Sequence, residues 1–188
     1  MITIKDRPAL VLIDLQKYSD GSWHNPRNNP DAENNAGKLL NVWRRMELPL
    51  IHVQHTSPGA DLTERSQGSK LQDIRPLNGE PVIELNVSCV NVGAELRKKL
   101  QDDGIKKIVV VGMSTDQDVS STIHMVSTYG YEAFVVYDAT ATFGRPNPRI
   151  SEQMYSAELI HDTAIASLKD TFASVVTTEE VLSALRYQ

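Results

Sequence analysis

Two aspartates in the sequence follow apolar segments, at points where buried strands would end. Asp14 comes directly after Ala9-Leu-Val-Leu-Ile13, and Asp118 comes shortly after the run Ile108-Val-Val-Val-Gly112. Uninterrupted apolar runs of this kind indicate strands that are buried on both faces of a parallel sheet. Open parallel sheets bind ligands beyond the carboxyl ends of their strands. The exits of these two strands are therefore where we expect the chemistry.

If the fold brings Asp14 and Asp118 together, their carboxylates would share a proton or gather a cation, because neighbouring like charges do not both ionise easily. A shared proton suits acid/base hydrolysis or hydration of a small molecule. Each aspartate also has a purely structural interpretation. Asp14 could hydrogen-bond a loop at the end of its strand, and Asp118 could stabilise the positive end of the dipole of the helix that follows Gly112.

The elements that would position these aspartates alternate along the chain. This order predicts an α/β fold: a doubly wound, mainly parallel six-stranded sheet with helices on both faces. Apolar runs predict strands over residues 9–13, 50–53, 81–85, 108–112, 133–137 and 173–176. Apolar residues at a 3.6-residue period predict helices over about 31–48, 92–104, 114–126 and 151–168, and after residue 177. Ser114 or Thr115 is expected to cap the helix that follows Gly112.

Size and composition favour one domain that spans residues 1–188. A net charge of -5 argues against nucleic-acid binding, which requires a basic surface. Cys89 is the single cysteine, so no internal disulfide can form. We expect a cytoplasmic protein, because there is no signal-peptide pattern and no apolar segment approaches the roughly 20 residues that span a bilayer.

The loop after the first strand contains Trp23 and His24. An aromatic residue in a loop above a sheet could stack on a substrate or simply cover the core. His24 and His55 lie on predicted loops and could line a pocket, but no two histidines have the i, i+4 spacing of a metal site. There is also no Gly-x-Gly-x-x-Gly or Walker-type segment, so we predict neither a metal nor a nucleotide cofactor.

The chain resembles the isochorismatase-like, or cysteine hydrolase, superfamily over essentially its full length. The order and spacing of several segments carry this resemblance: Ala9-Leu-Val-Leu-Ile-Asp-Leu-Gln16, Pro26-Arg-Asn-Asn-Pro-Asp-Ala-Glu33, Ile51-His-Val-Gln-His55, Val109-Val-Val-Gly-Met-Ser-Thr115, Tyr137-Asp-Ala-Thr-Ala-Thr-Phe143 and the tail 166–182. The resemblance implies the superfamily's α/β fold and hydrolysis of a small molecule. It also implies a homo-oligomer, a dimer or a tetramer.

In that family an aspartate, a lysine and a cysteine converge as a catalytic triad. The resemblance places the aspartate on Asp14, with Gln16 completing the Asp-x-Gln motif. The lysine's place falls on Leu85 and the cysteine's place on Asp118. A thiolate is a strong nucleophile, whereas a carboxylate is a poor one, so ordinary cysteine amidohydrolase action is not expected. Lys70, in a long polar loop, is a further candidate to replace the absent lysine.

The resemblance also implies a set of ligand-binding residues. Asn86 and Asn91 follow the third strand, where the family lines its pocket, although a turn would also favour such residues. Ser114 and Thr115 occupy the turn whose backbone N–H groups bind an oxyanion in the family, and that turn often contains a cis peptide.

Two hypotheses follow, with a third of less weight. The first is a small-molecule hydrolase that uses Asp14, and with it Asp118, for acid/base chemistry instead of a cysteine nucleophile. The second is a catalytically inactive family member that retains the fold for ligand binding or assembly. The third is a thiol enzyme rebuilt around Cys89, whose alternative role is that of a small buried apolar residue.

Overall fold

The computed structural model describes residues 2–15, 26–55, 74–85, 89–150 and 152–186, without the side chains of residues 55, 85 and 89–92. Several residues of the sequence analysis therefore lie outside the described residues: Gln16, Trp23, His24, Lys70 and Asn86. The side chains of His55, Leu85, Cys89 and Asn91 lie outside them as well.

The central sheet has six strands, and every neighbouring pair is parallel. In chain order the strands of the protein are β1 (Ala9–Ile13), β2 (Leu50–His55), β3 (Val82–Leu85), β4 (Lys107–Met113), β5 (Glu132–Ala141), β6 (Arg145–Pro146), β7 (Met154–Tyr155) and β8 (Ser174–Val176). The six-stranded sheet has the order β3-β2-β1-β4-β5-β8, while β6 and β7 form a separate antiparallel pair. The predicted parallel α/β sheet is confirmed.

Helices cover both faces of this sheet. They are α1 (Ala32–Arg45), α2 (Cys89–Asp102), a π-helix (Thr115–Val119) continued by α3 (Ser120–Thr128), α4 (Ala157–Leu168) and α5 (Thr178–Arg186). Leu96, Ile123 and Ile165 pack α2, α3 and α4 against one face. Trp43 and Leu185 pack α1 and α5 against the other. None of the helices in the described ranges is long and apolar enough to cross a bilayer.

The side chains of β1 show how the sequence builds this arrangement. Ala9, Val11 and Ile13 belong to the core on one face of the sheet, and Leu10 and Leu12 to the core on the other. All five are at most 2% exposed. An apolar run without polar alternation is what a strand between two helical layers requires, as predicted.

The structure corrects the end of the fifth strand. The sequence predicts that it ends at Asp138, but β5 continues to Ala141 after a register shift opposite Val110 and Gly112. Side-chain amides accommodate the irregular backbone: Asn29 donates to the carbonyls of Tyr137 and Thr140, and Asn35 donates to that of Asp138. Because these amides hydrogen-bond the carbonyls of the irregular stretch, the strand can continue past the bulge.

The helix predicted over 151–168 begins later, at Ala157. Met154 and Tyr155 instead pair with Arg145 and Pro146 in the antiparallel β6–β7 hairpin. Ser156 then caps α4 by accepting a hydrogen bond from the Leu159 backbone N–H at 3.2 Å. A local hairpin and a cap thus override the helical periodicity of the preceding residues.

Candidate functional site

Asp14 lies where β1 leaves the sheet, and it is only 3% exposed. Its backbone has a positive φ of 45°, a left-handed conformation that aspartate tolerates better than most residues. Its N–H donates to the carbonyl oxygen of Val53 at 2.8 Å, so the residue is tied to β2. The carboxylate predicted from the end of the first apolar run is thus held in a fixed, buried place.

The neighbouring strand approaches this position very closely. Ile13 and Gly112 are partners in the register between β1 and β4. Gly112 has a φ of +125°, and a Cβ added to it would lie 1.9 Å from the carbonyl oxygen of Ile13. Only glycine fits here, because any side chain would collide with the backbone that leads directly into Asp14.

The turn after β4 begins with a cis peptide between Met113 and Ser114, where the family resemblance implies one. Both Ser114 and Thr115 are buried, at 5% and 0% exposure. The carbonyl of Ser114 accepts hydrogen bonds from the backbone N–H groups of Gln117 and Val119 at 3.1 and 3.2 Å. The segment is a π-helix, a rare form that occurs often at functional sites.

The expectation that Ser114 or Thr115 caps this helix with its side chain is wrong. The Ser114 side chain makes no capping hydrogen bond. The Thr115 hydroxyl is paired with the ring of His161. These residues shape the turn through the Ser114 carbonyl and a contact to another helix, which local sequence rules do not anticipate.

Asp118 is half-buried and lies in the first turn of the π-helix. The structure therefore places Asp14 directly after β1, and Asp118 in the helix that follows β4, the neighbour of β1. Since the two strands are parallel, both aspartates belong to the same carboxyl edge of the sheet. Their joint action at this edge remains a prediction.

A second acidic residue in this helix was missed by the sequence analysis. Asp116 accepts a hydrogen bond from the hydroxyl of Thr142, and its other carboxylate oxygen is 2.8 Å from Nε of Arg145. These contacts join the π-helix to the end of β5 and to β6. Asp116 is thus occupied in holding the elements around the turn. In the sequence, the signal for Asp116 was its position two residues before Asp118.

His161 forms another buried contact at this turn. Its Nδ1 lies 2.9 Å from Oγ1 of Thr115, and the histidine has no exposed surface. Burial lowers the pKa of His161, although the negative charge of Asp162 opposes this effect. Sequence spacing could test His161 only as a metal ligand, and no second histidine lies four residues from it.

A separate polar cluster lies near the beginning of β3. Glu80 accepts hydrogen bonds from Arg44 at 2.7 and 2.9 Å and from the Leu77 N–H at 2.9 Å, and it pairs with His52 at 2.9 Å. Burial alone would raise the pKa of Glu80, but these partners lower it to about 2. For His52, burial lowers the pKa, although the contact with Glu80 raises it. The pairing with Glu80 gives His52 a structural role between β2 and the start of β3.

Two open clefts lie on other parts of the surface. One of about 460 Å³ is next to Arg44 and Glu80, and one of about 510 Å³ follows α1 near Asp31 and Lys38. Neither is lined by Asp14 or Asp118. Across the described ranges, no group of three His, Cys, Asp or Glu side chains is arranged to hold a metal ion.

Comparison with known proteins agrees with the observed fold. Residues 8–180 match the Isochorismatase domain. The chain is 31% identical to the isochorismatase family protein YrdC of Bacillus subtilis over 96% of this chain and 97% of that protein. It is 32% identical to the isochorismatase family protein YddQ of the same organism, over 93% of this chain and 98% of that protein.

Solved structures give the same result. An isochorismatase-family structure from Chromobacterium violaceum superimposes with a TM-score of 0.82 at 32% identity, covering 95% of this chain and 93% of that one. An isochorismatase from Pseudomonas putida superimposes with a TM-score of 0.77 at 29% identity, covering 93% and 90%. The chain belongs to the isochorismatase family and has the fold of its hydrolases.

Proposed function

We propose that this protein is a hydrolase of a small molecule that works by carboxylate acid/base chemistry. Asp14 and Asp118 are its catalytic residues. The observation that carries the proposal is the buried position of Asp14, at 3% exposure, beside the close approach of β1 to Gly112. A buried carboxyl group is costly to the fold unless it is paired or protonated, and such groups are typical of sites of proton transfer.

The two carboxyl groups would divide the work. One, carrying the proton, would donate it to the leaving group, while the other, ionised, would accept a proton from the attacking water. This division needs no thiol, which agrees with an aspartate at position 118, where the family resemblance places the nucleophilic cysteine. It also needs no lysine cation at position 85, where this chain has leucine.

Substrate binding is assigned to the residues around this pair. Ser114 and Thr115 would contribute the backbone N–H groups of the turn after β4, since the Thr115 hydroxyl is already paired with His161. Gln16, Trp23, Asn86 and Asn91 stay predicted ligand contacts. They follow the first and third strands, whose carboxyl ends lie at the same edge of the parallel sheet.

The test is turnover over a panel of amides, esters and vinyl ethers. Asp14→Asn should remove nearly all hydrolysis, lowering it by about a hundredfold or more, and alkylation of Cys89 should leave it unchanged. Asp170→Asn is a matched control, because Asp170 also has a positive φ, of 62°, but is exposed on the surface. Full activity of Asp14→Asn would reject the proposal.

The inactive alternative makes the opposite prediction for the same panel. It expects no hydrolysis of any substrate class, combined with ligand binding or stable assembly. Loss of activity on alkylation of Cys89, and its retention in Asp14→Asn, would instead favour a thiol enzyme. Self-association, which the family resemblance implies, stays a prediction for light scattering coupled to size-exclusion chromatography.

A further inference from the structure

His161 is a buried titratable residue to which the proposed mechanism gives no role. It lies on α4, yet it reaches two other parts of the fold. Its Nδ1 is 2.9 Å from Oγ1 of Thr115, the first residue of the π-helix. Its Nε2 is 3.5 Å from Nδ2 of Asn29, in the segment before α1. The ring also contacts Tyr137 edge-on, with 4.7 Å between ring centroids.

The surroundings of Asn29 determine which of its atoms faces the histidine. Its Nδ2 lies 2.9 Å from the carbonyl oxygen of Tyr137 and 2.8 Å from that of Thr140. Carbonyl oxygens only accept hydrogen bonds, so the atom that contacts both of them must be the amino group of the amide. A donor group of Asn29 therefore faces Nε2 of His161.

This arrangement selects one tautomer of the neutral ring. A hydrogen on Nε2 would oppose the amino group of Asn29, donor against donor. A hydrogen on Nδ1 can be donated to Oγ1 of Thr115, and it leaves no hydrogen on Nε2 to oppose the amino group of Asn29, whose two hydrogens are directed at the carbonyls of Tyr137 and Thr140. Burial favours the neutral ring, because it lowers the pKa of His161 more than Asp162 raises it.

We propose that His161, as its Nδ1–H tautomer, is a positioning residue that holds Thr115 and thereby orients the turn that carries Asp118. Thr115 is completely buried, so its hydroxyl depends on a protein partner. Thr115 and Asp118 lie in the same π-helix. A change at His161 is therefore transmitted over one helical turn to the candidate catalytic carboxyl group.

The first test does not depend on activity and uses nitrogen NMR of the imidazole in the full-length protein. We expect the hydrogen of His161 on Nδ1. A hydrogen on Nε2 would overturn the proposal. The exposed His124 on α3, whose Nδ1 lies 2.7 Å from the Ser120 carbonyl oxygen, is the reference histidine.

The second test compares two variants, each of which replaces one ring nitrogen of His161 with a side-chain amide. His161→Asn places an amide near the position of Nδ1, whereas His161→Gln places one near Nε2. We expect the carbon-13 signal of the Asp118 carboxyl group to stay near its wild-type position in His161→Asn and in the control His124→Asn. It should move in His161→Gln. Equal signals in His161→Gln and wild type would overturn the proposal.

The third test is kinetic, and it rests on the proposed function of Asp118. With a substrate from the panel, His161→Gln should lower kcat by about tenfold to a hundredfold with little change in KM, since misplacement of a catalytic group slows the chemical step. His161→Asn should restore most of kcat. Equal rescue by both variants would contradict a role for Nδ1. If no substrate is turned over, the proposed function fails, and the two NMR tests still decide the role of His161.

Discussion

Replacing Gly112 with alanine should destabilise the fold, because β1 and β4 leave no room for a methyl group at this point. A Cβ on Gly112 would lie 1.9 Å from the carbonyl oxygen of Ile13, so the strands would have to move apart. Overpacking of this kind costs about 1–3 kcal/mol. The φ of +125° adds a backbone penalty of about 1–3 kcal/mol for any residue with a side chain. We therefore expect the free energy of unfolding to fall by roughly 2–6 kcal/mol.

Gly130→Ala separates the two contributions. Gly130 also has a positive φ, of +83°, but nothing lies within 4 Å of the place where its Cβ would be. Alanine at position 130 should therefore incur the backbone penalty alone. Urea unfolding of both variants, with unchanged m-values, would measure the difference between them. Equal losses at the two positions would refute the argument from close approach.

The same pair of variants connects the fold to the site. The carbonyl of Ile13 belongs to the peptide unit that leads directly into Asp14, so displacement of this carbonyl moves the buried carboxylate. Gly112→Ala should therefore lower kcat/KM for any substrate, whereas Gly130→Ala should not. Full activity in folded Gly112→Ala would show that the position of Asp14 does not depend on this contact.

Two further predictions concern parts of the fold outside the candidate site. The lowered pKa of Glu80 means that its ion pair with Arg44 stabilises the folded state above the ordinary carboxyl pKa of 4.5, and that this contribution is lost as the pH falls towards about 2. Acid unfolding of Glu80→Gln should thus depend less on pH in that range, and an unchanged profile would reject the assignment. Asp138 accepts hydrogen bonds from the N–H and hydroxyl of Thr178, at 2.8 and 2.9 Å, at the start of α5. Asp138→Ala should cost about 1 kcal/mol in thermal or urea unfolding, and no loss would contradict this capping role.

The sequence predicted the sheet well because the relevant signal is local. The apolar runs that end at Ile13 and Gly112 have no polar alternation, and this pattern suits a strand with a helical layer on each face. The end of β5 was mispredicted because its extension depends on amides that come from Asn29 and Asn35. No rule applied to residues 133–141 alone contains that information.

The candidate site likewise combines residues that a local pattern identifies with contacts between distant parts of the chain. Asp14 could be identified because it directly follows a buried strand, and in the structure it is only 3% exposed. The contact between Thr115 and His161 spans 46 positions of the chain, and the contact between Asp116 and Arg145 spans 29. Such pairings arise from how α4 and the β6–β7 hairpin pack on the π-helix, which residue periodicity does not determine.

The central claim is that Asp14 and Asp118 act as one acid/base pair, and a double-mutant cycle on kcat/KM tests it most directly. Asp14→Asn and Asp118→Asn should each lower kcat/KM by about a hundredfold or more. The double variant should be little worse than the poorer single variant, because removal of either partner disables the pair. The claim would be contradicted if the effects of the two substitutions on kcat/KM multiplied. It would also be contradicted if Asp118→Asn kept the wild-type kcat/KM.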